Sequence, residues 1–196
     1  LPAAAAVEVF HNFTLLHDDI MDNAAVRRGK PSVHAKWGQN VAILSGDAML
    51  ICAYRLLGEV PAQLLPQILS TFNTMALEVC EGQQYDMDFE RKPKVSVVEY
   101  MHMIELKTSV LLAGSVVIGA MLGGASDEDC RRLRRFAVEL GLVIRECLAK
   151  QGGEGTERHF GVSGTHGADT FHRLTEPFLP DPPVGVQHDF AGHRVF

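Results

Sequence analysis

Residues 15–22 read Leu-Leu-His-Asp-Asp-Ile-Met-Asp and set three carboxylates within five positions, after an apolar stretch. On a helix, Asp18 and Asp22 lie on one face, and Asp19 lies about 60° from Asp22. The carboxylates repel one another, and a helix C-terminus disfavours anions. A divalent cation relieves both effects, and Mg²⁺ favours a few carboxylates together with phosphate oxygens. The pattern therefore predicts a magnesium site at Asp18, Asp19 and Asp22, and the alternative is a solvated acidic helix end.

An arginine pair, Arg27-Arg28, follows five residues after the last of these aspartates. Guanidinium groups bind phosphate oxygens in a bidentate manner and stay charged at cellular pH. The pair fits a metal-bridged diphosphate, and the alternative is a basic loop that balances the acids. Apolar residues before the aspartates are expected to bury the helix sides and direct the acids into a cleft.

Two polar patches interrupt apolar helices further along the chain. Gln83 and Asp86 share a helix face and need partners when buried. They predict an interhelical hydrogen-bond network, residues that support the metal ligands, or a wall of the substrate-binding site. Lys107-Thr108 lies within the apolar segment 101–122. A lysine there needs an anion, either a diphosphate or a carboxylate such as Asp86.

Helical patterns fill residues 1 to about 142 and predict an all-α bundle around a central cavity. Apolar residues on nearly all sides of the segment 40–57 predict a central helix there. Residues 23–38 read as a loop, and capping and breaking residues predict further helices over about 61–89, 96–122 and 126–142. Ser96 and Glu99 form the expected capping box at the start of the second of these.

The composition changes after Leu142. The last 54 residues hold five of the nine histidines and eight of the 18 glycines, and apolar periodicity fades. Segments 151–155 and 180–183 have the composition of loop or disorder. We therefore expect a domain over residues 1–142 and an atypical, poorly ordered tail over 143–196.

Bulk properties exclude several classes of protein. A net charge of −6 gives no support for a nucleic-acid surface. The longest nearly apolar run, 110–122, is shorter than the roughly 20 residues that span a bilayer, so no transmembrane segment is expected. Four cysteines without a C-x-x-C pair are expected to be reduced, as in the cytoplasm. His11, His17 and His34 lack a second His or Cys at a zinc-site spacing.

Five motifs occur in a fixed order, namely L-L-H-D-D-I-M-D, R-R-G-K-P-S-V-H, Gly46-Asp47, E-G-Q-Q-Y-D and Lys107-Thr108. In this order they resemble the trans-type isoprenyl diphosphate synthases, the polyprenyl synthetases, over residues 1 to about 142. The resemblance implies a helical bundle, usually a homodimer. It also implies head-to-tail condensation of isopentenyl diphosphate with an allylic diphosphate.

The resemblance assigns roles to individual residues. The three aspartates would hold Mg²⁺ on the allylic diphosphate and, with Lys107, form the candidate catalytic set. Arg27 would hold the allylic diphosphate and Arg28 the isopentenyl diphosphate. Lys107 and Thr108 would also contact the allylic diphosphate.

The resemblance also bears on product length. In this family a bulky residue five positions before the first aspartate forms the floor of the cavity, and here that residue is Phe13, followed by Thr14. Two residues, not four, separate the aspartate pair from Asp22. These features imply a short or medium chain, such as farnesyl or geranylgeranyl diphosphate.

Two parts of the family pattern are absent. The G-K-R segment normally lies upstream of Leu1, and the second aspartate-rich motif, F-Q-x-x-D-D, is replaced by the stretch 141–148, Gly-Leu-Val-Ile-Arg-Glu-Cys-Leu. A lost reading frame after Leu142 is one hypothesis, and this chain alone is then expected to have little synthase activity. The alternatives are a non-catalytic synthase-like subunit, a terpene cyclase, or a helical domain with a surface acid cluster.

Overall fold

The computed structural model describes the backbone of residues 1–151 and the side chains of residues 1–144. It confirms an all-α fold with one two-residue hairpin. The elements are α1 (Pro2–Met21), β1 (Val26–Arg27), β2 (Lys30–Pro31), α2 (Val33–Trp37), α3 (Gln39–Leu57), α4 (Leu65–Glu90), α5 (Val97–Ile104), a π-helical turn (Glu105–Ser109), α6 (Val110–Leu122) and α7 (Asp127–Gln151). The central cavity remains a prediction.

The core lies where α1, α4 and α6 meet the C-terminal half of α3. The buried rings of Phe10 and Phe72 pack edge to face at a centroid distance of 5.0 Å. Ile68, Met75 and Ile118 are fully buried beside them. Burying a side chain of this size stabilises a fold by about 1.5–3 kcal/mol. This packing holds the acidic end of α1 in place against α4 and the segment that leads into α6.

The segment predicted as a loop, 23–38, contains more structure than expected. Strands β1 and β2 pair antiparallel, with Arg27 opposite Lys30. Arg28 (φ 51°) and Gly29 (φ 74°) both adopt left-handed backbone conformations between them. Two consecutive left-handed residues match the twist of a two-residue hairpin. The hairpin fixes the position of Arg27 relative to the end of α1.

The predicted single helix over 96–122 is two α-helices joined by the π-helical turn. Its start is as expected, because Ser96 and Glu99 form a capping box: the Glu99 N–H donates to Ser96 Oγ at 3.2 Å and the Ser96 N–H donates to Glu99 Oε2 at 2.9 Å. Helix α6 ends before Gly123-Gly124, as predicted. A π-helical turn inside a helix occurs frequently at functional sites.

The prediction that helix α3 is central is wrong within the described residues. One face, formed by Ala42, Gly46, Ala53 and Leu57, is buried. The opposite face is open to solvent, with Leu44 68% exposed and Ile51 61% exposed. Helix α3 therefore has more apolar surface than the described part of the chain covers.

Helix α7 starts after Ser126, whose Oγ accepts a hydrogen bond from the Asp129 N–H at 3.2 Å. It continues to Gln151, nine residues beyond the predicted end at Leu142. Residues 142–151 lack proline and glycine, so nothing in their sequence stops the helix. The tail predicted to be poorly ordered lies outside the described residues from residue 152 onward.

Within the part of the chain that the structure describes, two helical segments are long and apolar enough to cross a membrane by length and composition, namely Gln39–Leu57 and Val97–Leu122. The apolar run 110–122 is by itself too short to span a bilayer. The π-helical turn joins it to α5, and the combined helical segment is longer. Within the second segment, 56% of the most apolar window is buried inside the protein, as in a core helix of a bundle.

Candidate functional site

Two aspartates at the end of α1 are buried, with Asp18 6% exposed and Asp19 4% exposed. Arg27, brought over them by the hairpin, donates from Nε to Asp19 Oδ2 at 2.8 Å and from Nη2 to Asp18 Oδ2 at 3.3 Å. Burial acts to lower the pKa of Arg27, but the two carboxylates outweigh it and raise that pKa. Asp19 Oδ1 is buried and accepts no hydrogen bond from the described residues.

Lys107 joins this pair from the π-helical turn. Its Nζ donates to Asp18 Oδ1 at 3.1 Å and to Asp86 Oδ2 at 2.6 Å. Burial acts to lower the pKa of Lys107, but the charges of Asp18 and Asp86 outweigh it and raise that pKa. Asp86 is the carboxylate partner that the sequence offered as one alternative, and Asp18 is a second partner. One ammonium group therefore links α1, α4 and the π-helical turn.

Asp22 lies at the exposed rim of the cluster. Partial burial and the charge of Asp18 raise its pKa to about 6, against the lowering effect of Lys107. Asp86 and Glu90 raise that pKa further. The rim of the site thus has a surplus of negative charge, which a bound cation would offset.

The donor set fits a metal that is shared with a substrate. Within residues 1–144, no three His, Cys, Asp or Glu side chains converge into a preformed cage. Mg²⁺ is usually bound by one or two carboxylates plus substrate phosphates rather than by such a cage. Asp19 Oδ1, a buried oxygen with no hydrogen-bond partner among the described residues, supplies a hard oxygen donor, and Asp22 supplies a carboxylate crowded by Asp18.

Gly82 allows α4 to approach the π-helical turn closely. A Cβ at this position would lie 2.7 Å from the Cα of Lys107 and 2.8 Å from the carbonyl carbon of Leu106. Such distances are too short for real side chains, so glycine is required. Asp86 follows one helical turn later and meets Lys107. This role of Gly82 was not predicted from the sequence. Apolar periodicity indicates neither the π-helical turn nor the close approach of α4 to it.

The other predicted residues surround this cluster. Thr108 is half-buried beside Lys107, while Gln83 Nε2 is buried without a hydrogen-bond partner among the described residues. Arg28 is exposed at the hairpin tip. The structure therefore gathers the three aspartates, one of the two arginines, Asp86 and the lysine, and leaves Arg28 at the edge.

The two chain-length candidates lie on the preceding turns of α1. The ring of Phe13 packs 5.7 Å from that of Phe10 and 4.7 Å from that of His17. Thr14 Oγ1 donates to the carbonyl oxygen of His11 at 2.8 Å, so its hydroxyl is satisfied within its own helix. Five residues along a helix, about 7.5 Å, separate Phe13 from Asp18.

A cleft of about 320 Å³ lies elsewhere, between the C-terminal end of α4 and α5. It is lined by Tyr85, Asp88, Phe89, Lys92, Glu99 and His102. None of the sequence-predicted site residues lines it. The site residues predicted from the sequence thus lie in and around the charged cluster and not along this cleft.

This chain is similar to several known proteins. The polyprenyl synthetase family model matches residues 1–144. The geranylgeranyl diphosphate synthase of Methanosarcina mazei is 49% identical over 145 residues, which are 72% of this chain and 44% of that protein. A crystal structure of a geranylgeranyl pyrophosphate synthase superposes with a TM-score of 0.75 at 47% identity, over 83% of this chain and 50% of that one.

A third protein was solved with ligands. The geranyltransferase of Helicobacter pylori, complexed with magnesium and isoprenyl diphosphate, has a TM-score of 0.68 at 29% identity, over 72% of this chain and 48% of that one. The chain spans about half the length of the relatives it matches. The helical fold, the ordered motifs and the family match over residues 1–144 together show that this chain belongs to the polyprenyl synthetase family.

Proposed function

We propose that this chain carries the allylic diphosphate site of a prenyltransferase, which condenses isopentenyl diphosphate with an allylic diphosphate. The observation that carries the proposal is the buried pair Asp18 and Asp19 held between Arg27 and Lys107. Carboxylates for a metal and fixed cations for phosphate oxygens thus meet at one point. Family membership supports the same reaction class.

Asp18, Asp19 and Asp22 would hold Mg²⁺, which offsets the charge that develops on a departing diphosphate. The magnesium and isoprenyl diphosphate in the Helicobacter pylori relative support this assignment. Loss of Mg²⁺ binding in an Asp18→Asn chain is the expected result. Unchanged binding would count against the metal site.

Arg27 and Lys107 would bind the oxygens of the allylic diphosphate and keep their charge while doing so. When the allylic C–O bond breaks, its electron pair stays on the diphosphate oxygen. Pre-positioned cations stabilise that charge without reorganisation. The alkene of isopentenyl diphosphate then forms the new C–C bond, and a proton leaves the product.

The outer residues would complete the substrate contacts. Thr108, beside Lys107, is proposed to contact the same diphosphate. Arg28, at the exposed hairpin tip, is proposed to bind the second substrate, isopentenyl diphosphate. Gln83, whose Nε2 has no hydrogen-bond partner among the described residues, is proposed as a substrate-binding wall together with Asp86.

Product length is proposed to be set at Phe13, with Thr14 beside it. The Phe13 ring packs between the rings of Phe10 and His17, about 7.5 Å along the helix from Asp18. In an active enzyme, Phe13→Ala is expected to lengthen the products analysed by chromatography. An unchanged product length in an otherwise active variant would remove this assignment.

The decisive test is an assay with Mg²⁺, labelled isopentenyl diphosphate and an allylic primer. This chain and a version with a restored second aspartate-rich motif are assayed side by side. Activity only in the restored version, lost again with Asp18→Asn, is the expected result. Inactivity of the restored version with intact folding would refute the proposed reaction.

A second candidate is a non-catalytic subunit that pairs with a complete synthase. The observation that favours it is the sequence itself, which has one Asp-Asp pair, at Asp18-Asp19. A change in product length when this chain is added to a complete relative would support it.

We also propose that the reading frame is lost after Leu142. Translation of the coding DNA beyond codon 142 should then show Phe-Gln followed by Asp-Asp in one of the other two frames, and absence of this motif from both would argue against a frameshift.

The exposed face of α3 is proposed to bind a second copy of this chain. Val41, Leu44 and Ile51 are exposed there and share one helix face by spacing. Sedimentation velocity should show a dimer that Leu44→Glu converts to a monomer. The matched control is Val98→Glu, which charges a residue 79% exposed on α5 and should leave the dimer intact. A dimer that persists in Leu44→Glu would exclude this face.

The proposed location is the cytoplasm. Cys52, Cys80 and Cys130 are free thiols, while the side chain of Cys147 lies outside the described residues. Cys80 is exposed at the surface, and partial burial of its side chain raises the pKa of the thiol. Fractionation of cells expressing the native gene tests this location.

A further inference from the structure

His17, the residue immediately before Asp18, is seated against Gly46 of α3. A Cβ at position 46 would overlap Nε2 and Cδ2 of the histidine ring and would lie 3.2 Å from its Cε1. The ring therefore fills a notch in α3 that exists because residue 46 is glycine. Gly46 is buried, as expected for a residue covered by this ring.

The ring also has a polar partner in α3. Nε2 lies 3.3 Å from the carbonyl oxygen of Ile43 and 3.9 Å from Oδ1 of Asp47. Since a carbonyl oxygen only accepts hydrogen bonds, this contact requires the proton on Nε2. The His17 side chain is 23% exposed, so the contact is partly shielded from water. Shape and one hydrogen bond thus attach the end of α1 to α3.

This attachment resists rotation of α1 about its axis next to Asp18, where rotation would displace the carboxylate. Side-chain tips lie about 5.5 Å from a helix axis, so a rotation of about 10° displaces them by about 1 Å. A displacement of this size can reduce catalysis by about 100-fold. Asp18, one residue after His17, needs contacts with both Arg27 and Lys107.

The same ring supports the chain-length candidate. Phe13 lies one turn before His17, and the two rings meet edge to face at 4.7 Å and 61°. Edge-to-face pairs are favourable by about 0.5–1.5 kcal/mol beyond their buried area. Removal of the His17 ring would leave one side of Phe13 without support.

We propose that His17 is a positioning residue, which locks α1 onto α3 through Gly46 and thereby sets both the direction of Asp18 and the place of Phe13. This role deepens the proposed function, on which its product-length consequence rests. It uses the ring as a spacer and as an Nε2–H donor, and not as a metal ligand.

The first test measures Mn²⁺ binding to the 196-residue chain by electron paramagnetic resonance, with Mn²⁺ as the probe for an oxygen-donor site. His17→Leu keeps bulk but loses the donor, and it should weaken Mn²⁺ binding about 10-fold. His17→Gln keeps an N–H near the position of Nε2 and should stay within about 3-fold of wild type. Mn²⁺ binding that is unchanged in His17→Leu, or equally weak in His17→Gln, would overturn the proposal.

A destabilised control separates positioning from general stability. Ile118→Ala removes a fully buried side chain from α6, which contributes no residue to the contact between His17 and Gly46. It should lower the free energy of unfolding by about 2–5 kcal/mol and leave Mn²⁺ affinity unchanged, provided that measurements use conditions in which the chain is folded. A parallel loss of Mn²⁺ affinity in this control would show that stability alone explains the His17→Leu result.

Failure of this inference is distinguishable from failure of the proposed function. Asp18→Asn in the same assay should lose Mn²⁺ binding, and unchanged binding there would overturn the metal site itself. If Asp18→Asn loses binding and His17→Leu does not, only the positioning role falls. In an active, tail-restored enzyme, His17→Leu should also shift products to longer chains.

Nuclear magnetic resonance of the wild-type chain tests the geometry without a variant. Long-range ¹⁵N–¹H couplings of the imidazole at pH 8 should show the Nε2–H tautomer for His17, as the contact with Ile43 requires. Observation of the Nδ1–H tautomer would overturn the proposal, whatever the metal-binding result.

Discussion

The replacement Lys107→Met tests the ion-pair network directly, since it keeps the length of the side chain and removes its charge. Lys107 Nζ lies 2.6 Å from Asp86 Oδ2 and 3.1 Å from Asp18 Oδ1. The lysine side chain is 21% exposed and that of Asp18 is 9% exposed, so water screens the pair weakly.

Loss of one partner from a buried charged pair costs about 3–5 kcal/mol, because the remaining charge is left without compensation. Asp86 is 32% exposed and is partly rehydrated, and Asp18 keeps its contact with Arg27. We therefore expect Lys107→Met to lower the free energy of unfolding by about 3 kcal/mol, near the lower end of that range.

Urea unfolding followed by circular dichroism at pH 7.5 measures this loss. The matched control is Lys92→Met, which breaks the exposed pair between Lys92 and Glu99. That control should cost much less stability than Lys107→Met, because water screens the exposed pair. A second replacement, Asp86→Asn, should recover about 1 kcal/mol in the Lys107→Met chain, since it removes one uncompensated charge.

Equal losses in Lys107→Met and Lys92→Met would refute the view that burial makes this network strong. Absence of recovery by Asp86→Asn would refute the assignment of Asp86 as an electrostatic partner. Added Mg²⁺ should stabilise Lys107→Met more than wild type, because its carboxylates lack the competing ammonium group.

Three further replacements test the close contact at Gly82, the open space at Gly119 and the raised pKa of Asp22. Gly82→Ala should cost about 1–3 kcal/mol by overpacking against the Lys107 backbone. Gly119→Ala, where a Cβ meets open space, should be neutral or gain up to about 1 kcal/mol in the same urea experiment; equal effects of the two replacements would contradict the close approach. Because the pKa of Asp22 is raised to about 6, its charged form opposes folding, and the stability that its protonated form contributes is lost as pH rises from about 4 through 6. Asp22→Asn should therefore gain about 1 kcal/mol at pH 7.5, discounted for exposure, and little at pH 4; an equal gain at both values would contradict this sign.

Local features of the fold could be predicted from the sequence because their causes lie within a few residues. Ser96 and Glu99 form the expected capping box, and Gly123-Gly124 follows the end of α6 as predicted. The 3.6-residue periodicity indicated the all-α class. The four-residue spacing of Asp18 and Asp22 was enough to predict that their carboxylates share one helix face.

Features that depend on one helix meeting another could not be predicted in this way. Lys107 and Asp18 are 89 residues apart in the chain, so their contact depends on how α1, α4 and the π-helical turn pack together. Gly46 and Gly82 belong to the sequence motifs, but the sequence does not show why glycine is needed there. In the packed structure, Gly82 makes room for the backbone of the π-helical turn and Gly46 makes room for the His17 ring.

The sequence by itself determined the helical class, the helix caps and the acidic face of α1, since backbone hydrogen bonding and side-chain spacing are local properties. Tertiary structure alone decided that Lys107 bridges Asp18 and Asp86, that His17 enters the notch at Gly46, and that one face of α3 stays exposed. Those outcomes depend on which helix surfaces pack close enough to exclude water and to leave no room for another side chain. The distance between two helices is not a local property, so it cannot be derived from the order of residues alone.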